Sequence, residues 1–307
     1  MSQTFALALH GGAGTIAPSS MSPERLAAYT AGLQAALNAG YDVLNSGGSS
    51  LDAVQAAVQS LEDCPLFNAG RGAVFNHEGG HEMDAAIMSG TDRAAGAVCS
   101  ITRARNPIQA ARAVMDRTAH VLLCGPGADR FAQEQGLPLA DAAYFFDQFR
   151  HDQWQEALAA DRVQLDHSHK MGTVGAVALD INGNIAAATS TGGMTNKKYG
   201  RVGDSPLIGA GTWADNRTCA ISCTGHGELF IKGVIAYDIA CLMEYSGLSL
   251  QEAADKVVLQ KLVASGGEGG LVAIDTQGNL ALPFNSEGMY RAWRKSGGEQ
   301  GIAIYKS

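Results

Sequence analysis

The second half of the chain holds hydroxyl residues among glycines, in a pattern that suits nucleophilic catalysis. Thr173 follows Gly172 directly, where a polar stretch gives way to an apolar run typical of a strand. Residues 189–191, Thr-Ser-Thr, end the next apolar run, and Thr224 stands among small residues ahead of a predicted helix. A threonine nucleophile needs a base, oxyanion donors and groups that hold the substrate. A free α-amine can be that base if cleavage makes Thr173 a new N-terminus.

A cation and an anion stand three residues apart in the same half of the chain. Arg201 and Asp204 are separated only by Val202 and Gly203. Arginine favours bidentate contacts with carboxylates, so the pair could hold the two charged ends of an amino acid. The alternative is an ion pair on the surface, which contributes about 0–1 kcal/mol.

Two histidine patterns invite a metal interpretation. Residues 77–81, His-Glu-Gly-Gly-His, match the zinc-protease pattern, which requires both histidines on one face of a helix. Two glycines cost such a helix about 2 kcal/mol relative to alanine, so we predict a turn instead. His167 and His169 lie in a polar stretch that we expect to be a solvated linker.

Phosphate binding and a serine nucleophile elbow have weak support. Residues 11–14, Gly-Gly-Ala-Gly, lack the spacing of a dinucleotide motif and a P-loop lysine, so we predict a turn packed on the core. The chain has no G-x-S-x-G sequence.

The elements that position these residues alternate in the first half. We predict a buried strand over 5–9, a helix from Pro23 capped by Ser22, a second helix from Ser50 and a third from Pro107. A hairpin is expected over 74–88, with strands over 97–101 and 121–123.

The second half is expected to form antiparallel hairpins covered by helices. Residues 145–170 lack periodicity and predict an exposed linker. Residues 177–186 and 272–281 resemble each other, and each reads strand, Gly-Asn turn, returning strand. Helices are predicted over 228–245 and after Ser249, which begins a capping box. This arrangement favours an α+β fold over a doubly wound parallel sheet.

Composition excludes several classes of protein. The 307 residues are 46% hydrophobic and carry a net charge of −8, so a packed core is expected and nucleic acid is a poor partner. No apolar run approaches a membrane span of about 18 residues, and the start does not resemble a signal peptide, so we expect no membrane association and a cytoplasmic location. The six cysteines form no C-x-x-C pair and are expected to be buried free thiols.

Seven stretches together resemble the plant-type asparaginase and isoaspartyl peptidase family of N-terminal-nucleophile hydrolases. They occur in the family's order over nearly the whole chain: 10–14 (HGGAG), 64–72 (CPLFNAGRG), 171–180 (MGTVGAVALD), 189–196 (TSTGGMTN), 200–206 (GRVGDSP), 224–228 (TGHGE) and 284–289 (FNSEGM).

The resemblance implies a four-layer αββα sandwich made as an inactive precursor. The precursor would cleave itself between Gly172 and Thr173 into an N-terminal α subunit (1–172) and a C-terminal β subunit (173–307). The two would stay interlocked as one intertwined domain, and two such pairs would associate into a heterotetramer.

The resemblance also implies roles for individual residues. Thr173 matches the nucleophile, Thr191 the hydroxyl that bonds to it, and Thr224 with the Gly225 N–H the oxyanion hole. The implied substrate-binding set is Asn68, Arg201, Val202, Gly203, Asp204, Thr224, Gly225, His226 and Gly227. No cofactor is implied for catalysis, but backbone carbonyls could bind a structural Na⁺ at Leu61, Glu62, Cys64, Phe67, Ala69 and Arg71.

The activity implied by the resemblance is hydrolysis of β-aspartyl (isoaspartyl) dipeptides and L-asparagine, by a threonine-type amidohydrolase. The substrate would be a small molecule or a dipeptide. The alternative within the same architecture is glycosylasparaginase, which removes N-linked glycans from asparagine. From other classes, a zinc protease would need a helix at 77–81, and a binding protein without activity would be expected to lack Thr173 or its partners.

Overall fold

The structure is a computed structural model that describes residues 4–16, 19, 21–160, 163 and 172–306. The polar stretch with His167 and His169 lies outside the described residues, so the structure does not test the predicted linker there. Across the described ranges, no helix is both long and apolar enough to cross a membrane.

Strands of the described residues form two sheets. They are β1 (Ala6–Gly14), β2 (Met83–Ser89), β3 (Ala95–Ile101), β4 (Leu122–Cys124), β5 (Val174–Leu179), β6 (Ile185–Thr191), β7 (Thr212–Ala214), β8 (Cys219–Gly225), β9 (Gly269–Asp275), β10 (Leu280–Ala281), β11 (Gly288–Lys295) and β12 (Gln300–Tyr305). The large sheet has the order β12-β11-β1-β5-β6-β2-β3-β4, and the small sheet the order β10-β9-β8-β7. Neighbouring strands are antiparallel except β3 and β4, which confirms the predicted α+β class.

Helices cover the outer face of each sheet. The helices of the described residues are α1 (Pro23–Asn45), α2 (Ser50–Asp63), α3 (Pro107–Arg117), α4 (Gly125–Glu134), α5 (Ala142–Phe145), α6 (Gln148–Ala159), α7 (Gly227–Gly233), α8 (Ile235–Ser246), α9 (Leu250–Asp255) and α10 (Leu262–Ala264), with a 3-10 turn at Gly70–Gly72 and a π-helical turn at Lys256–Lys261. The predicted starts of the first helices are confirmed, because Ser22 accepts a hydrogen bond from the Arg25 N–H and Pro23 follows it.

The layers follow the order helices, large sheet, small sheet, helices. Alternation along β1 shows this directly, since successive side chains of a strand point to opposite faces. Leu7 and Leu9 pack into the core beneath α1 to α3, whereas Ala6 and Ala8 face the small sheet. The other face of the small sheet packs against α8 and α9. The space between the sheets therefore lies in the middle of the molecule.

The predicted internal similarity is confirmed as two hairpins with the same turn. Asp180 follows β5, and its Oδ1 accepts hydrogen bonds from the N–H groups of Asn182 and Asn184. Asp275 ends β9, and its Oδ1 accepts from Gln277 and Asn279 in the same way. In each turn, one aspartate carboxylate thus accepts hydrogen bonds from the backbone N–H groups two and four residues later in the chain.

Two predictions in the first half are wrong. Residues 11–14 form no turn, because β1 continues to Gly14 across a bulge between His10 and Gly12. Residues 74–82 contain no strand, since a turn closed by the Asn76 N–H and the Gly80 carbonyl precedes β2. The hairpin of β2 is made with β3 instead.

Predictions for the later elements also need correction. The predicted linker at 145–170 contains helix α6, whose buried residues are Arg150, Gln153 and Ala157, so no apolar periodicity marks it. The single helix predicted over 228–245 is two helices, which meet at Val234 with φ of 47°. The six cysteines are free, but Cys124 is exposed and two others are only partly buried.

Candidate active site

Thr173 lies at the centre of the large sheet, directly before β5. It is 8% exposed, and its Oγ1 is 3.3 Å from Ser205 Oγ, where either hydroxyl can donate. Ser205 was not among the predicted site residues. Its signals in the sequence are that it follows Asp204 directly and lies in the 200–206 motif.

Glycines let the backbone of β1 approach the Gly172–Thr173 junction. Gly12 has φ of +111°, and a Cβ at that position would lie 2.9 Å from Gly172 Cα. Such a conformation and such a contact both require glycine. The glycine pair in HGGAG is therefore explained by close packing on Gly172, and needs no phosphate.

Thr224 stands on the other side of the same junction. It is fully buried near the end of β8, and its Oγ1 accepts a hydrogen bond from the Ala13 N–H at 3.2 Å. That oxygen is 2.7 Å from where a Cβ on Gly172 would be. Gly225 follows, and a side chain there would lie 2.7 Å from Gly269 Cα. The structure thus brings Thr224 against Gly172 and leaves Gly225 open to the cavity described below.

Asn68 ties the loop after α2 to the end of β6. Its Nδ2 donates to the Gly193 carbonyl at 2.8 Å, and its Oδ1 accepts from the Val74 N–H at 3.1 Å. Thr191 Oγ1 accepts from the Gly193 N–H at 3.0 Å. Asn68 thus holds the segment that carries Thr191, and its Nδ2 keeps a second N–H that these bonds do not use.

Arg201 is held by a carboxylate other than Asp204. Its Nε and Nη2 donate to the two oxygens of Glu228 at 2.8 and 2.9 Å. A Cβ on Gly227 would lie 2.8 Å from Arg201 Nη2 and 3.0 Å from Asp204 Oδ1, so glycine there leaves room for both charges. The surface ion pair weighed for Arg201 and Asp204 is thus replaced by an Arg201–Glu228 pair. Glu228 is a residue that the sequence reasoning missed, although it ends the TGHGE motif.

Asp204 is buried and incompletely hydrogen-bonded. Burial raises the pKa of Asp204 to about 7, its own backbone N–H and Arg201 lower that pKa, and Glu228 raises it further. Oδ2 of Asp204 has no hydrogen-bond partner among the described residues. A buried carboxylate oxygen without a donor is costly, and an ammonium group would satisfy it.

These residues surround one cavity of about 310 Å³. Eight of the predicted site residues line it: Asn68, Thr173, Thr191, Arg201, Gly203, Asp204, Gly225 and His226. Gly172, the predicted cleavage residue, lines it too. Val202, Thr224 and Gly227 do not line it, but each is next in sequence to a residue that does. The cavity therefore combines hydroxyls, a guanidinium and a carboxyl in a space suited to a small polar molecule.

The zinc pattern at 77–81 is not on a helix. These residues form a turn, in which His77 Nδ1 bonds with Asn196 Oδ1 and His81 Nδ1 with the Val74 carbonyl. Burial lowers the pKa of His81. Among the described residues, no cluster of three or more His, Cys, Asp or Glu side chains could hold a metal.

The predicted sodium loop folds tightly between α2 and the 3-10 turn. Backbone N–H groups of Cys64, Phe67 and Ala69 bond back to carbonyls within the loop. Glycine at position 72 lets the 3-10 turn pack against this loop, since a Cβ there would lie 2.6 Å from the Pro65 carbonyl oxygen. A carbonyl oxygen that accepts one hydrogen bond keeps a second lone pair, and such hard oxygens are the kind of donor that Na⁺ takes.

A family model described as asparaginase matches residues 3–304 of the chain. The chain belongs to the asparaginase family. It is 53% identical to an isoaspartyl peptidase of Salmonella typhimurium, with 98% of each chain covered, and 52% identical to the isoaspartyl peptidase of Escherichia coli, covering 98% of this chain and 96% of the relative. It is 40% identical to a probable isoaspartyl peptidase/L-asparaginase of Arabidopsis thaliana, covering 98% of this chain and 99% of the relative. The family match covers all seven motifs quoted from the sequence, and the resemblance to this family is confirmed.

Proposed function

We propose that the chain hydrolyses β-aspartyl (isoaspartyl) dipeptides and L-asparagine. The names of its relatives in the asparaginase family support this class of reaction. The observation that carries the proposal is that Thr173 lines the same cavity as Arg201 and Asp204. A nucleophile, a carboxylate binder and an ammonium binder are the groups that an amino-acid amide requires.

The nucleophile would be released by cleavage of the chain's own Gly172–Thr173 bond. The freed α-amine of Thr173 would take the proton of Oγ while Oγ attacks the side-chain carbonyl of the substrate. Thr224 Oγ1 and the Gly225 N–H would stabilise the oxyanion, and Thr191 would bond to the nucleophile. The amine then returns the proton to the leaving ammonia or amino group, and water hydrolyses the acyl-enzyme to aspartate.

The charged ends of the substrate would be held on the other side of the cavity. Arg201 would bind the α-carboxylate with the donors that Glu228 leaves available, and Asp204 the α-ammonium. Gly203 and Gly225 to Gly227 would supply close backbone contacts, with Val202 and His226 beside them.

The larger organisation belongs to the same proposal. Residues 1–172 and 173–307 would be two subunits of one N-terminal-nucleophile hydrolase fold, and two such pairs would form a heterotetramer in the cytoplasm. The layer order supports this fold, and β1 of the first part lies between β5 and β11 of the second, which supports interlocking. Na⁺ in the loop at 61–71 would steady Asn68 rather than take part in the reaction. No cofactor, nucleic acid or membrane partner is proposed.

Aspartate release from a β-aspartyl dipeptide and from L-asparagine tests the proposed activity. Wild-type protein should release aspartate from both, Thr173→Ala from neither, and Thr173→Ser at a reduced rate, because it keeps a hydroxyl. Asparagine carrying an N-acetylglucosamine on its amide is the control substrate. If only that compound is hydrolysed, the chain is a glycosylasparaginase and the proposal is wrong.

A further inference from the structure

A row of buried polar groups crosses the apolar space between the two sheets. His10 on β1, Thr189 on β6, Thr212 on β7 and Ser222 on β8 are each 0% exposed. The mechanism proposed above uses none of them. Their neighbours between the sheets are alanines and other apolar residues. Buried polar groups in such surroundings are costly unless they bond to each other, so the row calls for a physical reason.

The groups form an unbroken chain of hydrogen bonds. His10 Nε2 is 2.9 Å from Ser222 Oγ, which is 2.7 Å from Thr189 Oγ1. Thr189 Oγ1 is 2.7 Å from Thr212 Oγ1, which is 3.0 Å from the backbone carbonyl oxygen of Ser205. We call these four side chains the inter-sheet chain.

Backbone carbonyls compete for the protons of the two threonines. Thr212 Oγ1 can donate to Thr189 Oγ1 or to the Ser205 carbonyl, and Thr189 Oγ1 is 3.4 Å from the Gly211 carbonyl. A hydroxyl has one proton, so Thr212 donates to one of its two acceptors at a time. His10 Nε2 can donate to Ser222 Oγ or accept from it. The contacts therefore fix the positions of the four side chains, whichever way the protons are ordered.

Both ends of the inter-sheet chain reach Thr173. At one end, Ser205 places its Oγ 3.3 Å from Thr173 Oγ1. At the other end, burial lowers the pKa of His10 to about 3, and the Thr173 backbone opposes that shift only in part. Nδ1 of His10 is buried and makes no hydrogen bond within the described part of the chain. The imidazole is thus neutral and lies beside the backbone of Thr173.

Glycine at position 175 makes room for this arrangement. A Cβ there would collide with Ser222 Oγ and lie 2.7 Å from His10 Nε2. Gly175 pairs directly with His10 across β1 and β5, so any side chain would break the first link.

We propose that His10 is a positioning residue for Thr173, held in place by Ser222, Thr189 and Thr212. The anchored ring lies beside the Thr173 backbone, and Ser205, at the far end of the inter-sheet chain, contacts the Thr173 hydroxyl. A neutral ring matters because a cation there would lower the pKa of the Thr173 amine. That amine is the base in the proposed function, on which this inference rests.

Breaking the inter-sheet chain at its middle hydroxyl should slow the reaction without weakening substrate binding. Thr189→Val keeps the shape but removes a link, so we expect kcat to fall about 10- to 100-fold, as a small misplacement of a reacting group does. KM should stay unchanged, because Arg201 and Asp204, which would bind the substrate, are not part of the inter-sheet chain. Thr189→Ser should restore kcat, and Thr218→Val, which removes a buried hydroxyl elsewhere, should leave it unaffected. Equal kcat for Thr189→Val and wild type would overturn the proposal, as would failure of Thr189→Ser to restore it.

The anchoring of His10 can be measured without any substrate. We expect ¹⁵N NMR of histidine-labelled protein to show His10, assigned by its loss in His10→Gln, as a neutral ring that is unchanged from pH 5 to 8. Ser222→Ala should move its Nε2 signal, because that variant removes the hydrogen-bond partner of Nε2. An Nε2 signal that does not move in Ser222→Ala, or titration of His10 in that pH range, would overturn the inference. Because this measurement needs no substrate, it stands even if the proposed hydrolysis fails.

Discussion

At the scale of single residues, the substrate clamp is the feature most open to test. Arg201→Ala and Asp204→Ala should each lower kcat/KM for a β-aspartyl dipeptide roughly ten- to hundredfold, the loss of about 1.5–3 kcal/mol expected for a charged hydrogen bond. Self-cleavage should be spared more than hydrolysis, because it uses no free α-carboxylate. Near-normal hydrolysis by a processed variant would contradict the clamp.

Glu228 should act through Arg201. Because Glu228 is 48% exposed, the pair is screened and contributes modestly. We expect Glu228→Gln to raise KM about two- to fivefold with little change in kcat. Asp238→Asn is the matched control, since it breaks the ion pair with Lys261, and neither residue lines the cavity. Equal KM values in the two variants would show that Glu228 does not position Arg201.

The raised pKa of Asp204 predicts a pH dependence. With a pKa of about 7, Asp204 is protonated in acid and then cannot pair with the substrate's ammonium group. We expect kcat/KM to fall as the pH drops through about 7. Asp204→Asn should have low activity, and its kcat/KM should not show this fall near pH 7, because the variant lacks the titrating carboxyl. A profile that is flat from pH 8 to 5.5 in the wild type would contradict this assignment.

At the scale of elements, a buried carboxyl joins two helices to the strand that carries Thr191. Glu62 near the end of α2 accepts hydrogen bonds from Ser190 Oγ at 2.6 Å and from the Ile108 N–H of α3 at 3.0 Å. Burial raises the pKa of Glu62 to about 8. The folded state therefore holds this proton more tightly than the unfolded state, whose carboxyl titrates near 4.5.

The sign of the effect follows from that difference. Stability from Glu62 is complete below about pH 4.5 and is lost as the pH rises toward 8. Urea unfolding of the uncleaved Thr173→Ala chain should show this decline, and adding Glu62→Gln should flatten it. The assignment would be contradicted if the Thr173→Ala chain became more stable as the pH rose over this range and adding Glu62→Gln removed that rise.

Other elements show what the sequence could and could not predict. Thr173, Arg201 and Asp204 could be predicted as site residues because each lies in a short motif. Thr189 was noted as a hydroxyl at the end of a strand, but its partners Ser222 and Thr212 were missed, because only the folded sheets bring together hydroxyls from separate strands. Helix α6 was missed because it buries Arg150 and Gln153 where apolar residues would mark the period.

At the scale of the whole molecule, the fold explains how one chain could be cut without falling apart. β1 pairs with β11 on one side and with β5 on the other, so the first part is inserted between strands of the second. The Gly172–Thr173 bond lies directly before β5, a central strand of the large sheet, and both of its residues line the cavity. A cut there would break no strand of either sheet, so we expect both sheets and their cores to stay intact.

The most direct test of the account is the intact mass and N-terminal sequence of purified protein. We predict two fragments, 1–172 and 173–307, the second beginning at Thr173, while Thr173→Ala remains a single chain. Activity should grow in step with the fragments. Full hydrolytic activity from an uncut chain, or the same cut in Thr173→Ala, would contradict the claim that Thr173 frees itself to become the nucleophile.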